Sequence, residues 1–595
     1  MDARSDGLVV VGTVEELRTA GLRHVQAGGA SLVVLWHEGT VFALDNRCPH
    51  LGFPLHRGDV HDGLLACHWH HARFDVTCGA TLDPWADDVP CHRVVVEDGV
   101  VLVDPRAPRA DAREHGLARL ARGLADDLWL VVAKAVVELA EAGVGARDAL
   151  VLAARHGALE RDAGWQPGLS ILSAAARIEP LLDPVDRQRA RFHAFLHVAA
   201  DASGQAPRRP LPGLGGSGRD AAGLRAWLRE TVEVRDGPGT DRVLRTLVER
   251  HGAAAALDAV LAACTDHRYA DVGHTLDYAL KCAELVESCG GDDAPRELVA
   301  TLFTSLGPQL VQMRRMEETT AWRSPVDVAA LVADAAGEVP AEPFAAPPQV
   351  VPVARDRDAL VDLLLGDTPA ATVAELVRRV RAGEPPAALA DAVVHAAVLR
   401  VLRFGTANET SDWDTVHHTL TYANAVAEGL RRVPSPELFR GVLDGAMSVY
   451  LDRFLNVPAA PLPRAAEAEG DPEPLRAELL AHYDTRAAVD AAARTAWTFL
   501  ARGGAPARLL ATLGHAVHRE DAGFHAYQQL EVAARRVERA TESGDTPATH
   551  FALTACARWL AAQFPTRRAR EQSFRTARRL HRGEALFRPD GSAAE

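Results

Sequence analysis

"CPHLGFPLHRGDVHDGLLACHWH", residues 48–70, decides how this chain is read. It opens on Cys48-Pro-His50 and, sixteen residues further on, closes on Cys67-x-x-His70. Soft thiolates and borderline imidazoles in two tight pairs point to a metal centre. Zinc accepts the same ligand types, but its ribbons and knuckles favour Cys-x-x-Cys hooks. Zinc also leaves the flanks unexplained: the turn at Gly52 and Pro54, and the loop "DPWADDVPCHRVVV" at 83–96.

Working outward, residues 1–108 read as a small antiparallel β domain. "LVVVG", "SLVVLWHEGTVFAL" and "HRVVVEDGVVLVD" are β-branched runs broken by Glu-Gly and Asp-Gly turns. From residue 113 the chain turns to Ala, Leu and Arg at helical spacing. The fold class is therefore multi-domain, β followed by a large all-α region. Pro/Gly-rich stretches at 206–220, 337–353 and 457–474 divide that region into lobes at 113–336, 354–456 and 475–582, with a tail at 583–595. The Arg-rich last thirty residues are expected to fray.

The helical region repeats itself. "GHTLDYALKCAELVE" from Gly273 matches "HHTLTYANAVAEGLR" from His417, aligning His274, Tyr278 and Glu284 with His418, Tyr422 and Glu428. "HGALERDAGW" from His156 matches "HAVHREDAGF" from His515. Duplicated helical units folded back on one another are expected.

The net charge of −15 argues against a nucleic-acid surface. Lys134 and Lys281 are the only lysines, which reads as coding bias. Eight cysteines in 595 residues make no disulfide scaffold; four fall in the first hundred residues, as metal chemistry in a reducing compartment would place them. No signal-peptide stretch and no apolar run of membrane-spanning length occur, so a cytoplasmic protein without a membrane partner is expected.

Cys48-x-His50 with Cys67-x-x-His70 resembles the Rieske [2Fe–2S] motif. The resemblance implies that the two Cys hold one iron and the two His the other, at the tip of the β domain. The loop 83–96 then corresponds to the proline loop covering the cluster. Neutral imidazoles in place of two thiolates raise the potential above that of an all-Cys ferredoxin. Respiratory-chain Rieske proteins carry two further cysteines where this chain has Phe53 and His68, so the sequence is similar to the ferredoxin and oxygenase branch. Cys78 and Cys91 read as buried structural thiols, and His56, His68 and His71 as exposed neighbours.

In Rieske oxygenases the electrons serve a mononuclear iron on Asp-x-x-His-x4-His, a pattern absent here. Candidate ligands for a second metal are instead the helical His156, His193, His197, His274, His418, His515, His518 and His525. Asp162, Glu520 and Asp521 are the accompanying carboxylates, as ligands or as acid/base groups. Each such His can equally be a packing residue. Converging imidazoles would suit mono- or dinuclear non-haem iron; haem is the lesser alternative, since no Cys-x-x-Cys-His occurs. "FHAFLHVAAD" with the His-Thr-Leu frame also resembles questin oxidase-like proteins, helical oxygenases, which implies oxygen chemistry without assigning residues. The "GLGGSG" at 213–218 follows "RRPLP" rather than a strand and reads as linker, so no flavin or nicotinamide domain is evident.

The expected function is a Rieske-dependent oxygenase or oxidase acting with O2 on a small organic molecule. A separate reductase or ferredoxin would supply electrons at the cluster tip. The alternative is a non-enzymatic electron-transfer module whose helices form a partner-binding scaffold. Substrate and oligomeric state are not legible.

Overall fold

Glu38-Gly39, Asp62-Gly63 and Asp98-Gly99 all take left-handed backbone angles in the computed structural model, each closing a two-residue hairpin. Two successive positive φ values give the turn twist that matches flanking strands, which is why Asp-Gly and Glu-Gly stand there. The structure describes residues 7–106, 111–216, 218–320, 325–341, 344, 350–465, 469–584 and 586. The tail beyond 586 and parts of the three Pro/Gly-rich stretches lie outside the described residues.

Two compact units result: residues 1–149 with 570–595, and residues 150–569. The first holds three antiparallel sheets. Strand Val100–Val103 runs between Val9–Thr13 and Val94–Glu97; Leu22–Ala27, Ala30–His37, Thr40–Asp45 and Cys91–His92 form a second sheet; Asp59–His61, Leu64–Ala66 and Arg73–Asp75 form a third. Strand Ala30–His37 is buried on both faces. Its Val33 and Leu35 join the core that contains Cys48 and Cys67, while Leu32 and Val34 join the opposite core. One helix, Val14–Ala20, interrupts the β domain because Thr13 and Glu16 form a capping box.

Helices Ala112–Ala125 and Trp129–Glu141 complete this unit. They approach closely at Gly116 and Gly123, where an added Cβ would lie 2.7 Å from Leu139 and 2.8 Å from Val132. Of the C-terminal stretch expected to fray, the described part is ordered: Ala569–His581 is helical, with Phe574 and Ala577 buried, while 587–595 lie outside the described residues. Arg47 explains this, since its Nη1 donates to the Leu580 carbonyl at 3.1 Å and its Nη2 to the Glu584 carbonyl at 2.8 Å. A cation thereby satisfies carbonyls left open at a helix end.

The second unit is helical, as composition predicted. The duplicated helices are His274–Ser288 and Thr410–Arg432, and a third, Phe524–Ser543, packs with them. Beyond their first turns these helices share a buried ionic network. Lys281 Nζ donates to Glu284 (2.8 Å) and Glu531 (2.9 Å), Arg535 to Glu284 (2.6 Å), and Arg536 and Arg539 to Glu428 (2.9 and 2.7 Å). The duplicated Glu284 and Glu428 are thus its paired anions. Among the described residues no helix is long and apolar enough to cross a membrane.

Candidate metal centres

The first site grows out of two loops built alike. Cys48 N–H donates to the Phe53 carbonyl (2.8 Å) and Gly52 N–H returns to the Cys48 carbonyl (2.6 Å). Cys67 N–H donates to Ala72 and His71 N–H returns to Cys67, both at 2.8 Å. In each loop the residue four after the cysteine is left-handed: Gly52 at φ 81° and His71 at φ 61°. Gly52 is required twice over, because a Cβ there would also press on Arg47 and Leu580 at 3.1 and 3.2 Å.

This construction turns backbone N–H groups toward sulfur. The Cys48 thiol faces the His50 and Leu51 amides, and the Cys67 thiol faces those of Trp69 and His70. The two sulfurs also share one hydrogen bond, which holds Cys48 up and brings Cys67 down to about 6. Both cysteines are buried. The His50 and His70 rings meet edge to face at 4.8 Å, and Trp85 of the covering loop stands 4.7 Å from His50. His50 Nδ1 is buried without a hydrogen-bond partner, and burial lowers the ring's pKa to about 4, keeping it neutral. Paired thiols stabilised by amides, with a neutral imidazole whose lone pair is unspent, fit a cluster that takes two Cys and two His. Cys78 is exposed and Cys91 half-buried, so the expectation of two buried thiols does not hold. Of the neighbouring histidines, His68 and His71 are exposed and His56 is half-buried.

The covering helices reach this site through a residue that sequence reasoning missed. Lys134 Nζ donates to the carbonyls of Pro49 and His50 and to Asp87 Oδ2, the last two at 3.1 Å. Asp87 Oδ1 also accepts from Arg119 Nε and Arg122 Nη2, both at 2.9 Å. A lone lysine inside the apolar run "LVVAKAVVEL" was the available signal.

In the helical unit His274, His418 and His525 come together, with one ligand nitrogen from each lying within 4.8 Å of the others. His418 Nε2 and His525 Nε2 are 3.1 Å apart. Burial, with the neighbouring imidazoles, holds His274 down to about 4 and His418 well below the usual range. Asp414 sits 3.3 Å from His525 Nδ1. It occupies the turn before His418 on the same helix and places a carboxylate on the far side of the His525 ring from Nε2. Asp414 was missed too, although its i, i+4 spacing to His418 is readable. Three converging imidazoles, two of them kept neutral by burial, with a carboxylate behind the third are a donor set for a borderline divalent metal.

His274 is placed by strain. Tyr269, Asp271 and Val272 are all left-handed (φ 47°, 49° and 51°), followed by Gly273 at φ 90°. A β-branched residue in that region costs about 1–3 kcal/mol, a price found where geometry is functional.

The remaining candidates lie elsewhere. His193 and His518 are buried with rings 6.1 Å apart, and His518 Nδ1 donates to the Gly514 carbonyl at 2.7 Å. His197 Nε2 donates to the Ala522 carbonyl (3.1 Å), and His515 pairs with Asp186 (3.1 Å). His156 is half-buried with Nε2 unpartnered. Glu520 accepts from Thr566 and Arg568 at 2.8 Å each, Asp521 accepts from the Ala569 amide at 2.8 Å, and Asp162 is exposed.

With this geometry in hand, comparison with known proteins bears on the first site. A family model described as Rieske [2Fe-2S] domain matches residues 7–93. Human apoptosis-inducing factor 3 is 32% identical over 91 residues, a match covering 15% of this chain and 15% of that protein. A human Rieske domain-containing protein is 27% identical over 121 residues, covering 17% of this chain and 77% of its own length. The ferredoxin of carbazole 1,9a-dioxygenase from Nocardioides aromaticivorans IC177 is a solved structure 29% identical to this chain, covering 17% of this chain and 98% of that one at a TM-score of 0.16. The chain thus spans 15% of the length of the first curated relative it matches. It carries a Rieske [2Fe-2S] domain at residues 7–93, followed by a large helical region.

Proposed function

We propose that this protein is a Rieske-dependent oxidoreductase of the oxygenase or oxidase kind. Electrons are taken up singly at the N-terminal domain and used at a metal held by His274, His418 and His525, with O2 and a small organic molecule as reactants. When bound, the [2Fe–2S] group supplies one-electron transfer and a non-haem iron supplies dioxygen activation. The observation that carries this reading is the gathering of three imidazole nitrogens within 4.8 Å in the same chain as a Rieske domain.

The chain's own residues have definite tasks in this scheme. His274, His418 and His525 present ring nitrogens to one point, with burial keeping His274 and His418 neutral; Asp414 stands as a carboxylate behind His525; the Tyr269–Gly273 turn fixes the start of the His274 helix. In the N-terminal domain Trp69 stands 42% exposed with its ring 4.5 Å from His70. That edge would meet a separate reductase or ferredoxin. No residue is assigned to the substrate.

The test is iron per chain with EPR before and after dithionite, on anaerobically purified full-length protein. Three irons, falling to two in His274→Ala and in His418→Ala with the reduced Rieske signal intact, support the proposal. Two irons in the unaltered protein after anaerobic iron loading would refute it and leave an electron-transfer module with a helical scaffold.

A further inference from the structure

Lys134 and Lys281 are the only lysines among 65 basic residues, and both are buried. Elsewhere the chain uses arginine, so an ammonium at residue 134 asks for a chemical reason. An ammonium is a compact point charge with three donors and no acceptor, whereas a guanidinium is a planar fork. Lys134 spends its donors on the carbonyls of Pro49 and His50, within the first ligand loop, and on Asp87, in the covering loop. One side chain from the Trp129–Glu141 helix therefore locks both loops around His50.

The charges do not cancel locally. Lys134, Arg119 and Arg122 converge on the single carboxylate of Asp87. Arg119 continues to Glu138 at 2.8 Å, which His115 also meets at 2.8 Å. Two carboxylates thus face two guanidiniums and one ammonium, and the member nearest His50 is the ammonium. Lys134 and Asp87 are both under a tenth exposed, so solvent screens this excess weakly.

We propose that Lys134 is a positioning residue that sets the redox potential at the Rieske site, holding the His50 loop in place and a positive charge behind it, with Asp87 as the opposing charge. Reduction adds one electron to whatever group Cys48, His50, Cys67 and His70 hold. A fixed cation beside the ligand loop favours the reduced state, and a fixed anion opposes it. The inference rests on the N-terminal domain alone and stands whether or not the helical triad binds metal.

The experiment is an EPR-monitored redox titration of the full-length, cluster-loaded protein and three variants. Lys134→Gln keeps an amide donor for the carbonyls but removes the charge. It is expected to lower the reduced-to-oxidised ratio at least tenfold at the unaltered protein's midpoint, equivalent to about 59 mV for a one-electron couple. Lys134→Arg keeps the charge and should stay closer to the unaltered midpoint than Lys134→Gln. Asp87→Asn removes the opposing charge and should shift the midpoint upward. A purely structural role would alter cluster content without shifts of opposite sign. Lys134→Gln with two cluster irons and an unaltered midpoint overturns the proposal. If Lys134→Gln fails to retain its cluster, Asp87→Asn decides, and an unchanged or lowered midpoint overturns it.

Discussion

Replacing Asp277 by Asn isolates a charge that the fold holds at a loss. Asp277 lies in the first turn of the His274–Ser288 helix, three residues from a triad histidine, and is 3% exposed. Its Oδ2 accepts from Gln528 Nε2 at 2.6 Å, yet burial outweighs this bond and the nearby Lys281, raising its pKa from 3.8 to about 6. Below 3.8 both folded and unfolded chains carry the proton. Between 3.8 and about 6 the unfolded chain loses it first, so stability falls as pH rises; above 6 the loss is complete. The gap corresponds to ~3 kcal/mol at most. Asn cannot ionise and can still accept the Gln528 bond, so Asp277→Asn should be more stable than the unaltered protein at pH 8 by roughly 1–3 kcal/mol. The gain should vanish toward pH 4. Urea midpoints followed by the helical circular dichroism signal at both pH values measure it; other titrating groups cancel in the difference. A variant less stable at pH 8, or a gain equal at both pH values, refutes the reasoning. A buried carboxylate kept at such a loss beside the triad is itself a functional pointer.

Two further outcomes follow from the helical unit. Glu428 is fully buried between Arg536 and Arg539, which hold its carboxyl well below the usual range despite burial. Glu428→Gln should therefore cost about 3–5 kcal/mol at neutral pH, a penalty that shrinks as pH falls below 4.5, read by thermal melts across pH. Asp414→Asn removes the carboxylate charge behind His525 and should weaken metal retention about 10–100-fold with helicity unchanged; competition with a chelator measures it, and unaltered retention would sever Asp414 from the site.

What could be read from sequence divides by distance along the chain. Cys48, His50, Cys67 and His70 sit on two short loops whose own hydrogen bonds set their geometry, so local spacing was enough. The duplication pointed to His274 and His418, and the density around "HREDAGFH" pointed to His525, but nothing local separates these from His156 or His515. Only packing of helices that begin up to 250 residues apart does so. Lys134 was dismissed as composition because its partners, Pro49, His50 and Asp87, lie 47–85 residues away. Glu284 and Glu428 were visible as repeated residues, while their role as paired anions depends on arginines of a third helix.

The Arg47–Leu580 contact joins residues 533 apart, and that separation has a meaning in time. A ribosome adding about 5–20 residues per second needs roughly half a minute to two minutes to make the intervening chain. Throughout that interval the first ligand loop has emerged, but Leu580 cannot yet rest against Gly52 and Arg47 has no helix end to cap. The Arg47 and Gly52 side of the loop is therefore born uncovered and gains its partner only when residues 570–584 arrive. The order in which this loop gains its neighbours is thus set by translation itself: the 83–96 loop first, Lys134 next, and the Leu580 end last.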